Sequence, residues 1–387
     1  MSKLKLYFAT NRRHKGRDRW HPTGYDTTFS QDGMENLRVG SLTVDVDGDR
    51  VARYLKEKLR HGTGNGEKLS GYIASRVRST KHCSIRAYRE DLKADVSDRN
   101  QPDNAKWGSH AMFEDLRKAM LGCSDVLVYI HGFNVSWEDA VGSALALQEM
   151  VNQPVDGEPV QKVVVVLFTW PSDGKALPYV SYKSDRSEAT ASGAAIGRGF
   201  LKVRDYLLGL REGARKGGGE IELCEQEIHL LCHSMGNYVL QSALARLAEF
   251  TPGKTMPRLF NHIFMCAPDV DDTVFEEGQP MERLHEIARQ VSIYCNHEDV
   301  AMTISDVTKG NPDRLGHHGA ARPALLHAKV HQVDCTPVVV EGLTEHSYYL
   351  SGRPDADIRM SINGLPFDDA RRERERETTL RNVWTLV

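Results

Sequence analysis

Residues 227–238 read Glu227-Ile228-His229-Leu230-Leu231-Cys232-His233-Ser234-Met235-Gly236-Asn237-Tyr238. An apolar run ends at a serine, and helical spacing begins just beyond it. A strand that turns sharply into a helix at a serine lifts the hydroxyl above the end of a sheet, where it can act as a nucleophile. The turn is tight, so the residues two before and two after the serine must be small. Gly236 fills the second position, and Cys232 fills the first, where glycine is usual. A serine before a helix is, by itself, an ordinary N-cap. The segments around it decide in favour of the nucleophile.

Upstream, residues 126–130 form an unbroken apolar run that stops at His131-Gly132-Phe133-Asn134. Residues 163–168, the most β-branched run of the chain, stop at Trp170-Pro171. Downstream, strand patterns recur at 259–265, 291–295 and 329–333, the last expected to end the sheet. Unbroken apolar strands are those covered on both faces, as in parallel sheets. Helical spacing falls between them, at 112–120, 140–151, 188–210, 238–250 and 281–287. Ser136, with Asp139 three residues on, suits an N-cap. The alternation implies βαβ units, hence an α/β fold with a mostly parallel central sheet and helices on both faces.

The first 105 residues read less clearly. Strand patterns occur at 3–9, 42–46 and 83–88, a helical one at 51–59, and a glycine-rich loop at 61–67, with polar, turn-rich sequence between. An N-terminal strand followed by an irregular extension is expected over 1–105, a core over 106–350 with a cap allowed for at 171–190, and a charged tail over 351–387. The run Arg371-Arg372-Glu373-Arg374-Glu375-Arg376-Glu377 reads as a solvated helix or a disordered segment.

Composition narrows the function classes. The chain has 387 residues, 40% hydrophobic and 27% charged, with a formal net charge of −3. That balance argues against nucleic-acid binding, which usually needs a basic excess. No apolar run approaches the ~18 residues of a membrane span, and the start lacks a long apolar leader, so a cytoplasmic location is expected. The seven cysteines are odd in number and contain no C-x-x-C spacing, which suits reduced core thiols. No ligand set at a useful metal spacing is seen, so neither metal nor cofactor is expected. The oligomeric state is open, a homodimer included.

A serine hydroxyl is a poor nucleophile until an imidazole takes its proton, and the imidazole needs a carboxylate to fix its tautomer. In α/β-hydrolases, whose sheet carries such a turn, the order along the chain is serine, acid, histidine. His346, shortly after the 329–333 strand, is the expected base; His317, His318, His327 and His331 are its rivals. Asp299, after the 291–295 strand, is the expected acid, with Asp269, Asp271 and Asp272 as the alternative cluster. The backbone amides of Phe133 and Met235 would form the oxyanion hole. Asn134, Trp170 and His233 are expected near the substrate, His233 as a pocket wall or structural residue rather than a base.

Six segments in this order carry a resemblance: Phe8-Ala9-Thr10-Asn11-Arg12, Ile130-His131-Gly132-Phe133-Asn134, Phe168-Thr169-Trp170-Pro171-Ser172, His233-Ser234-Met235-Gly236-Asn237, Ala267-Pro268-Asp269-Val270-Asp271 and His346-Ser347-Tyr348-Tyr349. They resemble the α/β-hydrolase superfamily, and within it a mainly bacterial branch known only as a hydrolase-like domain of unknown function. The likeness covers about residues 105–350 and the first strand. It implies an α/β-hydrolase fold with a Ser234–Asp299–His346 triad. It also places Trp170, Tyr179, Tyr182 and Asp185 near the pocket. The expected activity is that of a serine carboxylesterase on a small-molecule ester of small or medium acyl group. Lipase, thioesterase, amidase or acyltransferase chemistry would use the same triad, and a non-catalytic binding module is the alternative of another class.

Overall fold

The computed structural model describes residues 1–89, 108–120, 125–159, 161–172, 178–217, 227–251, 256–302, 313–339 and 345–387. Its strands are β1 (Ser2–Thr10), β2 (Arg12–Gly16), β3 (Pro22–Phe29), β4 (Arg38–Val46), β5 (Cys83–Ala87), β6 (Asp125–Ile130), β7 (Val163–Thr169), β8 (Ile228–His233), β9 (Phe260–Cys266), β10 (Ala288–Cys295), β11 (Val330–Asp334), β12 (Arg374–Arg376) and β13 (Val383–Leu386). The main helices are α1 (Gly48–Leu55), α2 (Gly66–Val77), α3 (Gly108–Met120), α4 (Trp137–Val151), α5 (Pro178–Gly217), α6 (Gly236–Phe250) and α7 (Gly352–Ile362).

Eleven strands form one sheet in the order β5-β4-β1-β7-β6-β8-β9-β10-β11-β13-β12. From β1 to β13 neighbouring strands are parallel; β4, β5 and β12 are added antiparallel at the two edges. This is the α/β-hydrolase fold. Successive side chains of a strand point to opposite faces, and β7 shows what its valines do. Val163, Val165 and Leu167 enter one core with Ile73 of α2 and Ala144 and Leu147 of α4. Phe168 enters a second core with Ile196 and Phe200 of α5 and Leu240 of α6. The strand is therefore buried on both faces, which is why its sequence does not alternate.

Chain order locates the site. From β6 the chain crosses to β7 through α4 on one face, then to β8 on the far side of β6 through α5 on the other. The direction of winding thus reverses beside β6. In open α/β sheets ligands bind at the carboxyl ends of strands beside such a reversal. The carboxyl ends of β6 and β8 carry His131-Gly132 and Ser234.

Several expectations need correction. Among the described residues, 1–89 are not an irregular extension, while 90–105 lie outside the described residues. β1 lies inside the sheet, between β7 and β4, and β4, β5, α1 and α2 build outward from it. The polar stretch after Arg12 forms the β2–β3 hairpin. The 61–67 loop gives way to α2 at Gly66, capped by the Asn65 side chain on the Lys68 amide. Glycine is required there because a Cβ at residue 66 would lie 2.1 Å from the Leu350 carbonyl. Residues 281–287 form turns and one 3-10 turn (Leu284–Glu286) rather than an α-helix; buried Met281, Leu284 and Ile287 recur at its spacing of three. Residues 178–190 belong to the forty-residue α5, not to a separate cap, while 173–177 lie outside the described residues.

The tail differs most. α7 is buried against α4, and β13 pairs with β11, so 329–333 is not the last strand. The charged run is folded because its arginines share a buried carboxylate. Arg372 Nε donates to Asp357 Oδ1 at 3.0 Å, Arg374 Nε to the same oxygen at 2.8 Å, and Tyr294 OH to Asp357 Oδ2 at 2.6 Å. Two residues apart near β12, the arginines reach the same partner. Cys83, Cys232, Cys266, Cys295 and Cys335 carry free thiols, and all but Cys83 are buried; Cys123 and Cys224 lie outside the described residues. No helix among the described residues is long and apolar enough to cross a membrane.

Candidate active site

β8 ends at His233, and Ser234 takes φ 51°, a left-handed conformation that costs a side-chain-bearing residue about 1–2 kcal/mol. The surroundings hold it there. Its amide donates to the Cys266 carbonyl at 2.9 Å, and its carbonyl accepts from the Asn237 amide and Asn237 Nδ2, both at 3.0 Å, and from the Asp269 amide at 3.2 Å. Small residues are forced by close approach: a Cβ on Gly236 would lie 2.7 Å from the Ile130 and His131 carbonyls, and one on Gly132 2.7 Å from Ser234 Cβ. Ser234 is not used as a cap, since Met235 occupies the N-cap of α6. The His131-Gly132 turn therefore packs directly on the serine.

His346 stands on the 3-10 segment Glu345–Leu350, its side chain 22% exposed. Its Nδ1 lies 2.8 Å from Oδ2 of Asp299, which is fully buried; Asp299 Oδ1 accepts from the Met302 amide at 3.1 Å. A carboxylate only accepts, so Nδ1 carries the proton and Nε2 is left to act as a base. Burial alone would lower the His346 pKa, but the charge and hydrogen bond of Asp299, with a smaller contribution from Asp269, raise it above the ordinary histidine value. Burial raises Asp299, and His346 together with the Met302 amide draws it below the usual carboxylate range. No hydrogen bond joins Ser234 to His346 among the described residues; such bonds often tighten only when substrate binds.

Of the alternative acids, the Asp271 carboxylate pairs with the buried Arg314, and Asp269 acts on His346 only as a lesser charge beside Asp299. His317 Nε2 donates to the His297 carbonyl at 2.8 Å, His327 stacks on His285, and His331 stacks on Phe367.

His233 lies almost wholly inside the protein. Its Nε2 donates to the His346 carbonyl at 2.9 Å, and its ring packs 4.7 Å from those of His346 and Tyr349. Burial, with the His346 charge adding to it, drops its pKa to about 3. A neutral histidine beside the serine thus ties the strand of Ser234 to the segment of His346. Tyr348 ties the same segment to the ends of β9 and β10, its hydroxyl donating to the Tyr294 carbonyl at 2.7 Å and accepting from the Ala267 amide at 3.0 Å.

Trp170, expected as a pocket wall, is fully buried behind the turn. It stacks on His131 at 5.3 Å, and its Nε1 donates to the His131 carbonyl at 3.0 Å. Phe133 is half-buried against the α5–α6 core, and Asn134 is exposed with φ 57°.

A family model described as an alpha/beta hydrolase of unknown function, DUF900, matches residues 109–209 and 219–359. The chain belongs to the DUF900 family. An uncharacterized protein of Nostoc sp. (strain PCC 7120) is 24% identical over 181 residues, which cover 38% of this chain and 42% of that protein. The chain thus spans about two fifths of the curated relative it matches. A Trichoderma reesei cutinase solved with a phosphonate inhibitor is similar over 54% of this chain and 80% of its own, at 12% identity and a TM-score of 0.28.

Three positioning residues of this DUF900 chain were not singled out from sequence for that role. Arg12, fully buried, donates from Nε to Thr169 Oγ1 at 2.9 Å and from Nη2 to the Val135 carbonyl at 2.8 Å. Asp185 accepts the Asn134 amide at 3.0 Å and the Ser172 hydroxyl at 2.5 Å, and Ser172 Oγ in turn accepts the Val135 amide at 3.1 Å. Together they fix the 131–135 turn over Ser234. The sequence signal for Arg12 and Ser172 was their place within the Asn11-Arg12 and Trp170-Pro171-Ser172 segments, and for Asp185 the resemblance that put it near the pocket. Tyr179 and Tyr182 belong to the part of α5 whose side chains lie outside the described residues.

Proposed function

We propose that this DUF900 chain is a serine hydrolase that cleaves carboxylic esters of small or medium acyl groups through an acyl-enzyme. The observation that carries the reading is the strained Ser234 turn standing next to an Asp299–His346 pair, with the Gly132 turn packed onto the serine. Ser234 Oγ attacks the acyl carbon while its proton passes to His346 Nε2. The oxyanion is met by the amides of Phe133 and Met235, the latter at the positive end of α6. As the ester C–O bond breaks, His346 returns the proton to the departing alcohol. Water then attacks the acyl-enzyme with His346 again taking a proton, and the acid leaves with Ser234 restored. Asp299 holds the tautomer and stabilises the imidazolium throughout.

The test is labelling by a fluorophosphonate, which reacts with activated serines, combined with turnover of a p-nitrophenyl ester series. Wild type should label and hydrolyse, with turnover peaking at one chain length; Ser234→Ala and His346→Ala should do neither. Thioester and amide analogues of the best ester separate esterase from thioesterase and amidase. Absence of labelling in folded wild type would overturn the proposal in favour of a non-catalytic binding module.

A further inference from the structure

At the carboxyl edge of β10 and β11, Cys295, His297 and Asp334 bring a thiol, an imidazole and a carboxylate within 4.8 Å of one another. Sequence reading missed the set because Cys295 and His297 are only two apart and the third member comes from the next strand. In the β10–β11 register Cys295 stands opposite Asp334, so two of the three donors are placed by the sheet itself. The third, His297, follows at the turn, with its Nε2 3.8 Å from Asp334 Oδ2.

Thr336 orients the set. Asp334 Oδ1 accepts both the Thr336 amide at 2.8 Å and the Thr336 hydroxyl at 2.5 Å, which turns Oδ2 toward His297. The His297 amide donates to the same Thr336 Oγ1 at 2.9 Å, and the His297 carbonyl accepts from His317 Nε2 at 2.8 Å. Ligands held by outer hydrogen bonds of this kind are a recurrent feature of metal sites.

We propose that Cys295, His297 and Asp334 bind a zinc-class divalent cation in a site separate from the serine centre. Tetrahedral zinc has bonds of about 2.0–2.3 Å to these donors, which sets donor–donor separations near ~3.3–3.8 Å. A nitrogen and an oxygen donor on tetrahedral zinc stand at ~3.3 Å; His297 Nε2 and Asp334 Oδ2 are 3.8 Å apart, and the 44% exposed His297 ring can turn to close that gap. A sulfur–nitrogen–oxygen set selects zinc over magnesium or calcium, which prefer oxygen alone. The fourth position is left to water. The ion would join the ends of two strands just before the turn that carries Asp299, so its first effect is to fix that turn.

The measurement is made on the full chain, stripped with a chelator and titrated with zinc chloride against a chromophoric competitor. Cobalt(II) replaces zinc for the spectrum. Wild type should take one zinc per chain, raise its melting temperature on binding, and show thiolate-to-cobalt charge-transfer absorption. His297→Ala alters an exposed ring, so it tests the site without disturbing the core; Asp334→Asn tests the carboxylate. Each should lose at least the ~10–100-fold in affinity that loss of an outer-shell partner costs. Unchanged affinity in both variants, a cobalt spectrum without sulfur ligation, or no uptake by wild type would overturn the assignment.

Discussion

Replacing Asp357 by asparagine should cost about 3–5 kcal/mol, the range for breaking a buried ion pair by removing one partner. The structure places this site firmly in that range. Asp357 is fully buried, and the side chains of Arg372 and Arg374 are each 1% exposed. Arg372 would keep the Leu365 carbonyl at 3.2 Å and Ser361 as partners, but Arg374 has little besides Asp357 and the Tyr294 hydroxyl at 3.4 Å. Its guanidinium would be stranded. An unfolding entropy of about 2.1 cal/mol/K per residue, over 387 residues, gives about 0.8 kcal/mol/K, so the expected fall in melting temperature is about 4–6 °C by calorimetry. The effect carries a pH signature. Burial raises the Asp357 carboxyl, but Arg374 and Arg372 pull it well below the usual range. A carboxyl with a depressed folded pKa stabilises above its unfolded pKa, about 3.9, and loses that contribution as pH falls further. The gap between wild type and Asp357→Asn should therefore hold through neutral pH and narrow below about pH 4. A neutral-pH loss under about 1 kcal/mol, or a gap that widens in acid, would refute the reasoning.

Three further outcomes follow from the site. Asp299→Asn should lower kcat by about 10⁴-fold, as loss of the tautomer-fixing carboxylate does in triads; wild-type kcat/KM should rise with pH through a value above the ordinary histidine pKa, and residual activity of the variant should turn over at lower pH, because burial is then opposed only by the lesser charge of Asp269. Ser234→Gly should abolish ester hydrolysis yet leave the protein as stable or about 1–2 kcal/mol more so, since it relieves the left-handed strain; a clear loss of stability in chemical denaturation would show that no strain is stored there. His233→Phe keeps a ring against His346 and Tyr349 but loses the bond to the His346 carbonyl. It should lower kcat with little change in KM and slow fluorophosphonate labelling, whereas an equal drop in both substrate affinity and stability would mark a purely structural role.

Elements covered on both faces were legible because their sequence shows it: 126–130, 163–168 and 259–265 correspond to β6, β7 and β9 within a residue or two. The strand–turn–helix at Ser234 was legible because its signals, an apolar run followed by a serine between small residues, are local in sequence. What could not be read depends on contacts distant in sequence. Arg371 to Glu377 has the charge pattern of a solvated helix, and only Asp357 and Tyr294 explain why two of its arginines are inside. Gly66 looks like loop punctuation until Leu350 is placed beside it. Sequence left Asp299 and the Asp269 cluster as alternative partners of His346, and the hydrogen bond falls on Asp299. Trp170 was read by its neighbours in the chain, whereas its place is set by stacking on His131.

The central place of β1 bears on how this protein can be shortened. Residues 109–359, the span within which the family model matches, look like a natural piece to isolate. Cutting there removes β1 from the flank of β7, where Tyr7 to Thr10 pair with Val166 to Thr169, and removes β13 from the flank of β11. Each cut bares a row of unpaired amides and carbonyls on a parallel strand, and β7 reads Val-Val-Val-Val-Leu-Phe-Thr. Long apolar edges of this sort template pairing between molecules. The trimmed piece would therefore associate edge to edge and precipitate, whereas the whole chain ends its sheet on short antiparallel strands, β5 with Arg86 and β12 with its arginines and glutamate.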